Sequence, residues 1–270
     1  MSTIATQIIS KLKEANRPLV VGVSGGSASG KSTYSHQINL ELQELGCNVT
    51  VINQDDFAIG RHFKNKHTSP YKWDDPDNYR LSDCAATISS LKRGKATTFM
   101  AYTLEAHEPI LSKTLKSYAL SHKPYVIIVE GIFAWYGTLA PIIDYKIYLD
   151  ADFYRRFVLR LNRNVYESKH TDVDTVIRQY FTHVARAQFD LLDPLKNSAD
   201  VIIGRDIPLP QVTSDSTPKE SVRYMHRDES LGIGLSGELQ QHLVVTIDGL
   251  LLFNLPINKE SALLISGWKT

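Results

Sequence analysis

The run Gly25-Gly26-Ser27-Ala28-Ser29-Gly30-Lys31-Ser32 constrains this 270-residue chain more than anything else in it. It matches G-x-x-x-x-G-K-[ST] and lies between the apolar stretch Leu19-Val20-Val21-Gly22-Val23 and a helical stretch from Lys31 to about Leu45. That placement carries the inference. Glycines let the backbone curl until successive N–H groups converge into an anion cradle. The helix that follows adds its unpaired N–H groups and the positive end of its dipole. Lys31 is then set to reach the β- and γ-phosphates, and the Ser32 hydroxyl to ligate Mg²⁺. Gly25, Gly26, Ser27, Ala28, Ser29, Gly30, Lys31, Ser32 and Thr33 are therefore expected to bind a nucleoside triphosphate with Mg²⁺.

The rest of the pattern builds an α/β fold around that loop. A helix is expected at about 4–15, where Ile4, Ile8, Ile9 and Leu12 recur at helical spacing, and a short strand at Val49–Asn53. Another helix is expected from Asp83 to Arg93. Tyr125-Val126-Ile127-Ile128-Val129 is continuously apolar, as a strand covered on both faces would be. Tyr145–Leu149 and Val201–Ile203 read as further strands, with helices at about 152–167 and 172–192 between them. Strands alternating with helices imply right-handed crossovers, hence a P-loop NTPase-type, mostly parallel sheet with helices on both faces. Residues 1–204 are expected to form one such domain, with a helical lid at about 152–192. From 205 the character changes. Pro208, Pro210 and Pro218 mark a loop, and Asp248-Gly249 between His242–Thr246 and Leu250–Phe253 signals a β-hairpin over about 242–253 in a C-terminal extension, 205–270. An apolar ribbon of this kind is expected to pair with a sheet edge, meet another subunit of a homo-oligomer, or cover a pocket.

Composition removes other classes. Thirty Lys and Arg against twenty-nine Asp and Glu leave a net charge of +1, so no global field points to nucleic acid or an acidic membrane. Cys47 and Cys84 are the only cysteines, too few for a disulfide framework or a zinc site, which favours a reducing, cytoplasmic home. No apolar run approaches the roughly 20 residues of a membrane span. Two lookalikes also fail. Asn258-Lys259-Glu260-Ser261 departs from the guanine-binding Asn-Lys-x-Asp at its fourth position. Leu235-Ser236-Gly237-Glu238-Leu239 only half resembles a transporter signature and lies far from the phosphate loop.

What remains is phosphoryl transfer to a small molecule. Asp55 and Asp56 follow directly on the second strand, at the end that faces the phosphate loop in a parallel sheet. A kinase acting on a hydroxyl needs a carboxylate there to take or orient its proton. Glu130 ends the third apolar strand, where an acid commonly holds the Mg²⁺ shell or a phosphate-facing water. Arg156, Arg160 and Arg163 share a face of the helix at 152–167, suited to neutralising transition-state charge.

The phosphate loop, Gln54-Asp55-Asp56-Phe57, Trp73-Asp74-Asp75-Pro76-Asp77, Glu130-Gly131-Ile132, Arg160-Leu161-Asn162-Arg163-Asn164, Gln179-Tyr180 and the ending Asp193-Pro194 through Ala199-Asp200-Val201-Ile202-Ile203 together resemble the uridine kinase and phosphoribulokinase superfamily. The resemblance covers roughly 18–204 and is nearest to uridine–cytidine kinases. It implies ATP-dependent transfer to the 5′-hydroxyl of a pyrimidine nucleoside, with Asp55 as catalytic base. Asp74, beside Trp73, would hold ribose hydroxyls, and Tyr102 and His107 would meet the base. Arg160 and Arg163 would serve ribose and phosphates, and Gln179 the nucleoside pocket. The chain departs from the family at Ala58 and Leu104, where aromatics are usual, at Asn164 in place of aspartate, and at Ser168-Lys169-His170, where Arg-Gly-Arg is usual. The paired acids Asp55 and Asp56 also resemble nicotinamide riboside and glycerate kinases of the same superfamily. Ribulose 5-phosphate and pantothenate stand as further candidate acceptors, and a nucleotide-binding regulator without turnover as a different class.

Overall fold

The computed structural model describes residues 3–60, 74–103, 106, 108–167, 172–205, 222–227, 231–237, 242–247 and 250–267. Trp73 and His107, the charged stretch at 61–67, the residues at 168–170 and the Asp248-Gly249 turn therefore lie outside the described residues. Contacts divide the chain into two compact units.

The first unit comprises Met1–Gly26, Gly30–Asp150 and Asp190–Gly204. Its centre is a five-stranded sheet in the order β2-β5-β1-β6-β7, built from β1 (Leu19–Gly25), β2 (Asn48–Asn53), β5 (Tyr125–Glu130), β6 (Tyr145–Ala151) and β7 (Val201–Arg205). β1 pairs in parallel with β5 and β6, and β5 in parallel with β2. Each strand sends alternate side chains to opposite faces, and both faces are covered. On one, Leu19, Val21, Val23, Val126 and Ile128 pack with Ile8 and Leu12 of α1 (Ile4–Ala15) and Ile38 and Leu42 of α2 (Lys31–Glu44). On the other, Val20, Ile127, Val129 and Ile52 pack with Cys84, Ile88 and Leu91 of α3 (Leu81–Lys92) and with Trp135 and Leu139. This is why the strands read as unbroken apolar runs rather than alternating ones. Both cysteines are free and buried, and burial, aided by Asp56 and Asp83, pushes the Cys84 thiol up to about 12.

Register then decides where the chemistry emerges. Val23 and Asn53 both stand opposite Glu130. The phosphate loop, the Asp55 turn and Glu130 therefore leave the sheet at one edge, at the carboxyl ends of β1, β2 and β5, where ligands of open α/β sheets bind. An antiparallel pair that sequence patterning did not reveal, β3 (Thr97–Thr103) with β4 (Glu108–Leu115), completes this unit. Its exposed, irregularly alternating residues carry no clear two-residue period.

The second unit comprises Ser27–Ser29, Ala151–Phe189 and Arg205–Thr270. Helix α4 (Phe153–Leu161) starts on an Asp152 cap, whose side chain accepts from the Arg155 N–H, and continues as a π-helical turn, Asn162–Glu167. Helix α5 (Val173–Gln179) runs on through the π-helical turn Tyr180–Val184. The apolar stripe on this segment is core: Val176, Ile177, Tyr180, Phe181 and Val184 are buried, and Phe157 meets both Tyr180 and Phe181 at ring-centroid distances of 5.1 Å. The expected hairpin is present as β10 (His242–Ile247) and β11 (Leu250–Pro256), antiparallel. It belongs to a larger four-stranded sheet in the order β11-β10-β9-β8, with β9 (Leu231–Ser236) and β8 (Val222–Arg227), followed by α6 (Lys259–Gly267). The contacts thus group the helical segment expected as the lid of a 1–204 domain with these C-terminal strands. No helix among the described residues is long and apolar enough to cross a membrane.

Candidate active site

The phosphate loop has the backbone its sequence requires. Gly25, Ala28 and Gly30 have φ values of 148°, 65° and 81°, so the chain turns back on itself through conformations that L-residues seldom adopt. Gly30 caps α2 without any side-chain bond to the first-turn N–H groups, leaving Lys31, Ser32 and Thr33 to present them outward. The Ser29 Oγ is buried and has no hydrogen-bond partner among the described residues. Such a cradle with unsatisfied donors fits a phosphate chain. Lys31 Nζ donates to Gly26 O at 2.9 Å across the loop.

Glu130 lies against this loop. Its carboxylate accepts the Ser32 hydroxyl at 3.0 and 3.1 Å to its two oxygens, and the residue is only 6% exposed. Burial holds its pKa above the usual carboxylate range. Lys31 and the Ser32 hydrogen bond oppose that shift, whereas the negative charges of Asp55 and Asp56 add to it. A hydroxyl beside a desolvated carboxylate, with two more carboxylates near enough to be felt, is a hard-oxygen donor set of the kind Mg²⁺ takes, so these residues fit the ion.

Asp55 and Asp56 share one turn of 3₁₀ helix, Gln54–Phe57, and face different ways. Asp55 is exposed, its N–H bound to Asn53 Oδ1 at 2.9 Å and one carboxylate oxygen 3.5 Å from the Tyr79 hydroxyl. Asp56 is half-buried and paired with Lys113 of β4. The turn is anchored by Gln54, which is fully buried and accepts the Phe133 N–H at 2.8 Å through Oε1. A Cβ at Gly131 would overlap this side chain, so glycine there lets Gln54 lie directly on the backbone beside Glu130. Sequence reasoning missed Gln54, Tyr79, Arg80 and Lys113. Gln54 lies among Asn53, Asp55 and Asp56, so its burial leaves no local signal, and the Asp56–Lys113 pairing spans 57 residues and leaves none either.

Asp74 is buried at 9% exposure, adopts a left-handed φ of 56°, and has an Oδ2 without a hydrogen-bond partner among the described residues. A buried acceptor left in that state suits a donor from outside the protein, such as a hydroxyl. Tyr102 is half-buried on β3, just past a register shift between Ala101 and Tyr102. In the second unit, Arg160 is buried on α4, and its Nη1 donates to Ser27 Oγ in the phosphate loop at 2.7 Å. Arg163 is exposed on the following π-helical turn, its Nε donating to Asn164 Oδ1 at 3.3 Å, and Gln179 is half-buried at the end of α5. The structure thus brings Lys31, Ser32 and Glu130 together with Asp55 in the first unit, and Arg160 together with Ser27 in the second.

A phosphate loop between the central strand of a parallel sheet and its helix, with acids at neighbouring strand ends, defines a P-loop NTPase-like nucleotide fold of the kinase type. Residues 20–211 match the Phosphoribulokinase / Uridine kinase family, and the chain belongs to that family. It is 32% identical over 217 residues to a Dictyostelium discoideum protein named uridine-cytidine kinase A, covering 76% of this chain and 42% of that relative. The chain therefore spans less than half the length of that relative. It is also 32% identical over 187 residues to the uridine kinase of Staphylococcus aureus, covering 68% of this chain and 86% of the relative. Among solved structures, one described as a possible uridine kinase from Bacillus stearothermophilus superposes with a TM-score of 0.50 at 23% identity, covering 73% of this chain and 97% of that one. At that identity the likeness is one of fold.

Proposed function

We propose that this chain transfers the γ-phosphoryl group of ATP to a hydroxyl of a small molecule, with the 5′-hydroxyl of uridine or cytidine as the acceptor. The observation that carries the reading is the Ser32–Glu130 pair of hydrogen bonds, which ties the phosphate loop to an acidic strand end next to the Asp55 turn. The family and the names of the relatives support the acceptor class.

In this reading the loop from Gly25 to Thr33 binds the triphosphate through backbone N–H groups, and Lys31 exchanges its loop carbonyl for phosphate oxygens. Ser32 and Glu130 would hold Mg²⁺, which would supply positive charge against the phosphates. Asp55, exposed beside Tyr79, accepts the proton of the attacking hydroxyl. Asp74 orients the acceptor by accepting a second hydroxyl on its unsatisfied oxygen, and Tyr102 of the same unit meets the base. Arg160, held to the phosphate loop through Ser27, and Arg163 carry positive charge to the phosphates. Catalysis is then positioning and electrostatic stabilisation, with little covalent chemistry for the protein to perform.

The test is ADP release from ATP–Mg²⁺ against uridine, cytidine, nicotinamide riboside, ribulose 5-phosphate, pantothenate and glycerate. Uridine or cytidine should stimulate release strongly. Stimulation by another member would keep the mechanism and remove Tyr102 and His107 as base readers. ATP binding with no stimulation by any of the six would favour a nucleotide-binding regulator.

A further inference from the structure

The β3–β4 hairpin has little of its own to hold it. Ala101 is the one buried residue along β3 and Leu115, at 9% exposure, along β4, and an isolated two-stranded ribbon is marginal in water. Its side-chain attachments converge on the turn that carries Asp55. Phe57 stacks on Phe99 with ring centroids 4.5 Å apart and planes at 20°. Arg80 Nη2 donates both to Met100 O on β3, at 2.5 Å, and to Asp56 O in the turn, at 3.3 Å. The same guanidinium lies 5.8 Å from the centre of the Phe57 ring. Lys113 of β4 closes the bracket through its ion pair with Asp56.

This pair differs from an ordinary surface salt bridge. The Asp56 side chain is only 15% exposed, and Asp55 and Glu130 are like charges in the same neighbourhood. Without Lys113, Asp56 would be a largely desolvated carboxylate with two others in its neighbourhood, and the hairpin would lose a charged tie to the turn. On a 3₁₀ turn successive side chains diverge by a third of a revolution, so seating Asp56 on Lys113 keeps Asp55 turned outward.

We propose that Lys113 is a positioning residue, which with Arg80 latches the β3–β4 hairpin to the Gln54–Phe57 turn so that Asp55 and Tyr102 are held in one fixed relation. The catalytic part of this proposal rests on Asp55 being the base; the mechanical part stands apart from it. Hydrogen–deuterium exchange of the wild type, Lys113→Met and Lys113→Arg reports the latch without any substrate. Lys113→Met should speed exchange about tenfold, the size of one charge-assisted hydrogen bond, in both 54–57 and 97–115, and Lys113→Arg should restore protection. Faster exchange in the hairpin alone, or in neither segment, overturns the latch.

With the acceptor selected by ADP release, Lys113→Met should lower kcat/KM for that acceptor by about a hundredfold, the usual consequence of a displacement near 1 Å. KM for ATP should stay within about twofold and Lys113→Arg near wild type, because the phosphate loop is untouched. Adding Asp56→Asn to Lys113→Met should cost nothing further, since the two act as one pair. Equal loss in the Arg and Met variants would overturn the positioning role. Asp55→Asn separates the two readings. If that variant turns over normally, the base assignment fails while the exchange result still judges the latch. If it is inactive and Lys113→Met behaves as wild type, the latch alone fails.

Discussion

Asp55 and Asp56 are adjacent and chemically identical, yet their surroundings differ. Asp56 is neutralised by Lys113, while Asp55 is exposed at the strand end with Tyr79 beside it. Asp55→Asn should lower turnover by about 10²–10⁴-fold, the range of general base catalysis, with ATP affinity unchanged by calorimetry. A larger loss in Asp56→Asn than in Asp55→Asn would reverse the assignment. Glu130 makes a second prediction, this time about stability. Its proton affinity is raised in the folded chain by burial first and then by Asp55 and Asp56, against Lys31 and Ser32. A carboxyl raised in this way favours folding below its unfolded value, about 4.3, and that contribution is lost as pH rises through the folded value. At neutral pH the charged form is therefore a burden on the metal-free protein. Glu130→Gln should raise the denaturant midpoint of the metal-free chain at pH 7 while abolishing turnover, and the stability difference should shrink toward pH 4. A lower midpoint at pH 7 would contradict the burial argument.

Helix α1 is fastened to the sheet by charge as well as by its apolar stripe. Arg17, just beyond its end, donates to both oxygens of Asp144 at 2.9 and 2.7 Å, and Asp144 also accepts the Val20 N–H of β1 at 2.9 Å. Burial resists ionisation of Asp144, but the hydrogen bonds from Arg17 and Val20 overcome it and hold its pKa below the ordinary range. The stabilising contribution is then complete above the unfolded value, about 3.9, and is lost as pH falls through the lower folded value. Asp144→Asn should cost about 1–2 kcal/mol at pH 7, read by urea unfolding, and the gap to wild type should close below pH 4. A gap that persists in acid would mean that packing, not the carboxylate, is what the substitution disturbs. α1, β1 and β5 were all legible beforehand, because a helical stripe and a run apolar on both faces each leave a period or a length in the sequence. The β3–β4 hairpin was not. Of its strand residues Ala101 and Leu115 alone are buried, and Tyr102 sits beyond a register shift that breaks what alternation there is.

The division of the whole chain has a consequence for its C-terminal quarter. Helix α6 packs on α5 and on the π-helical turn after it, and the Asn258 N–H donates to Asp174 Oδ1 of α5 at 2.9 Å. Helix α5, the π-helical turn after it and α6 therefore pack as one group, within which Val176, Ile177, Phe181, Ala262 and Ile265 are buried. A chain ended at residue 204 should keep the parallel sheet yet lose helical circular-dichroism signal beyond that of α6 itself. It should also become sensitive to proteolysis within 151–189. A truncated chain with full residual helicity and wild-type resistance in that segment would show that the helices fold without the extension.

Read alone, the sequence determined the parallel α/β sheet, the phosphate loop, the acids at the strand ends and the arginine helix. Each of these is local: a continuous apolar run, a glycine spacing, a carboxylate directly after a strand. The tertiary structure decided which elements work together. Glu130 meets Ser32 because β5 lies beside β1 in a register that aligns Glu130 with Val23, 107 residues away in the chain. Asp56 is silenced by a lysine on a hairpin that patterning did not reveal, and Arg160 reaches Ser27 over a separation of 133 residues. The final division follows from range: propensity and periodicity act over one or two turns of chain, whereas strand order, register and long-range charge pairing are settled only when distant segments pack.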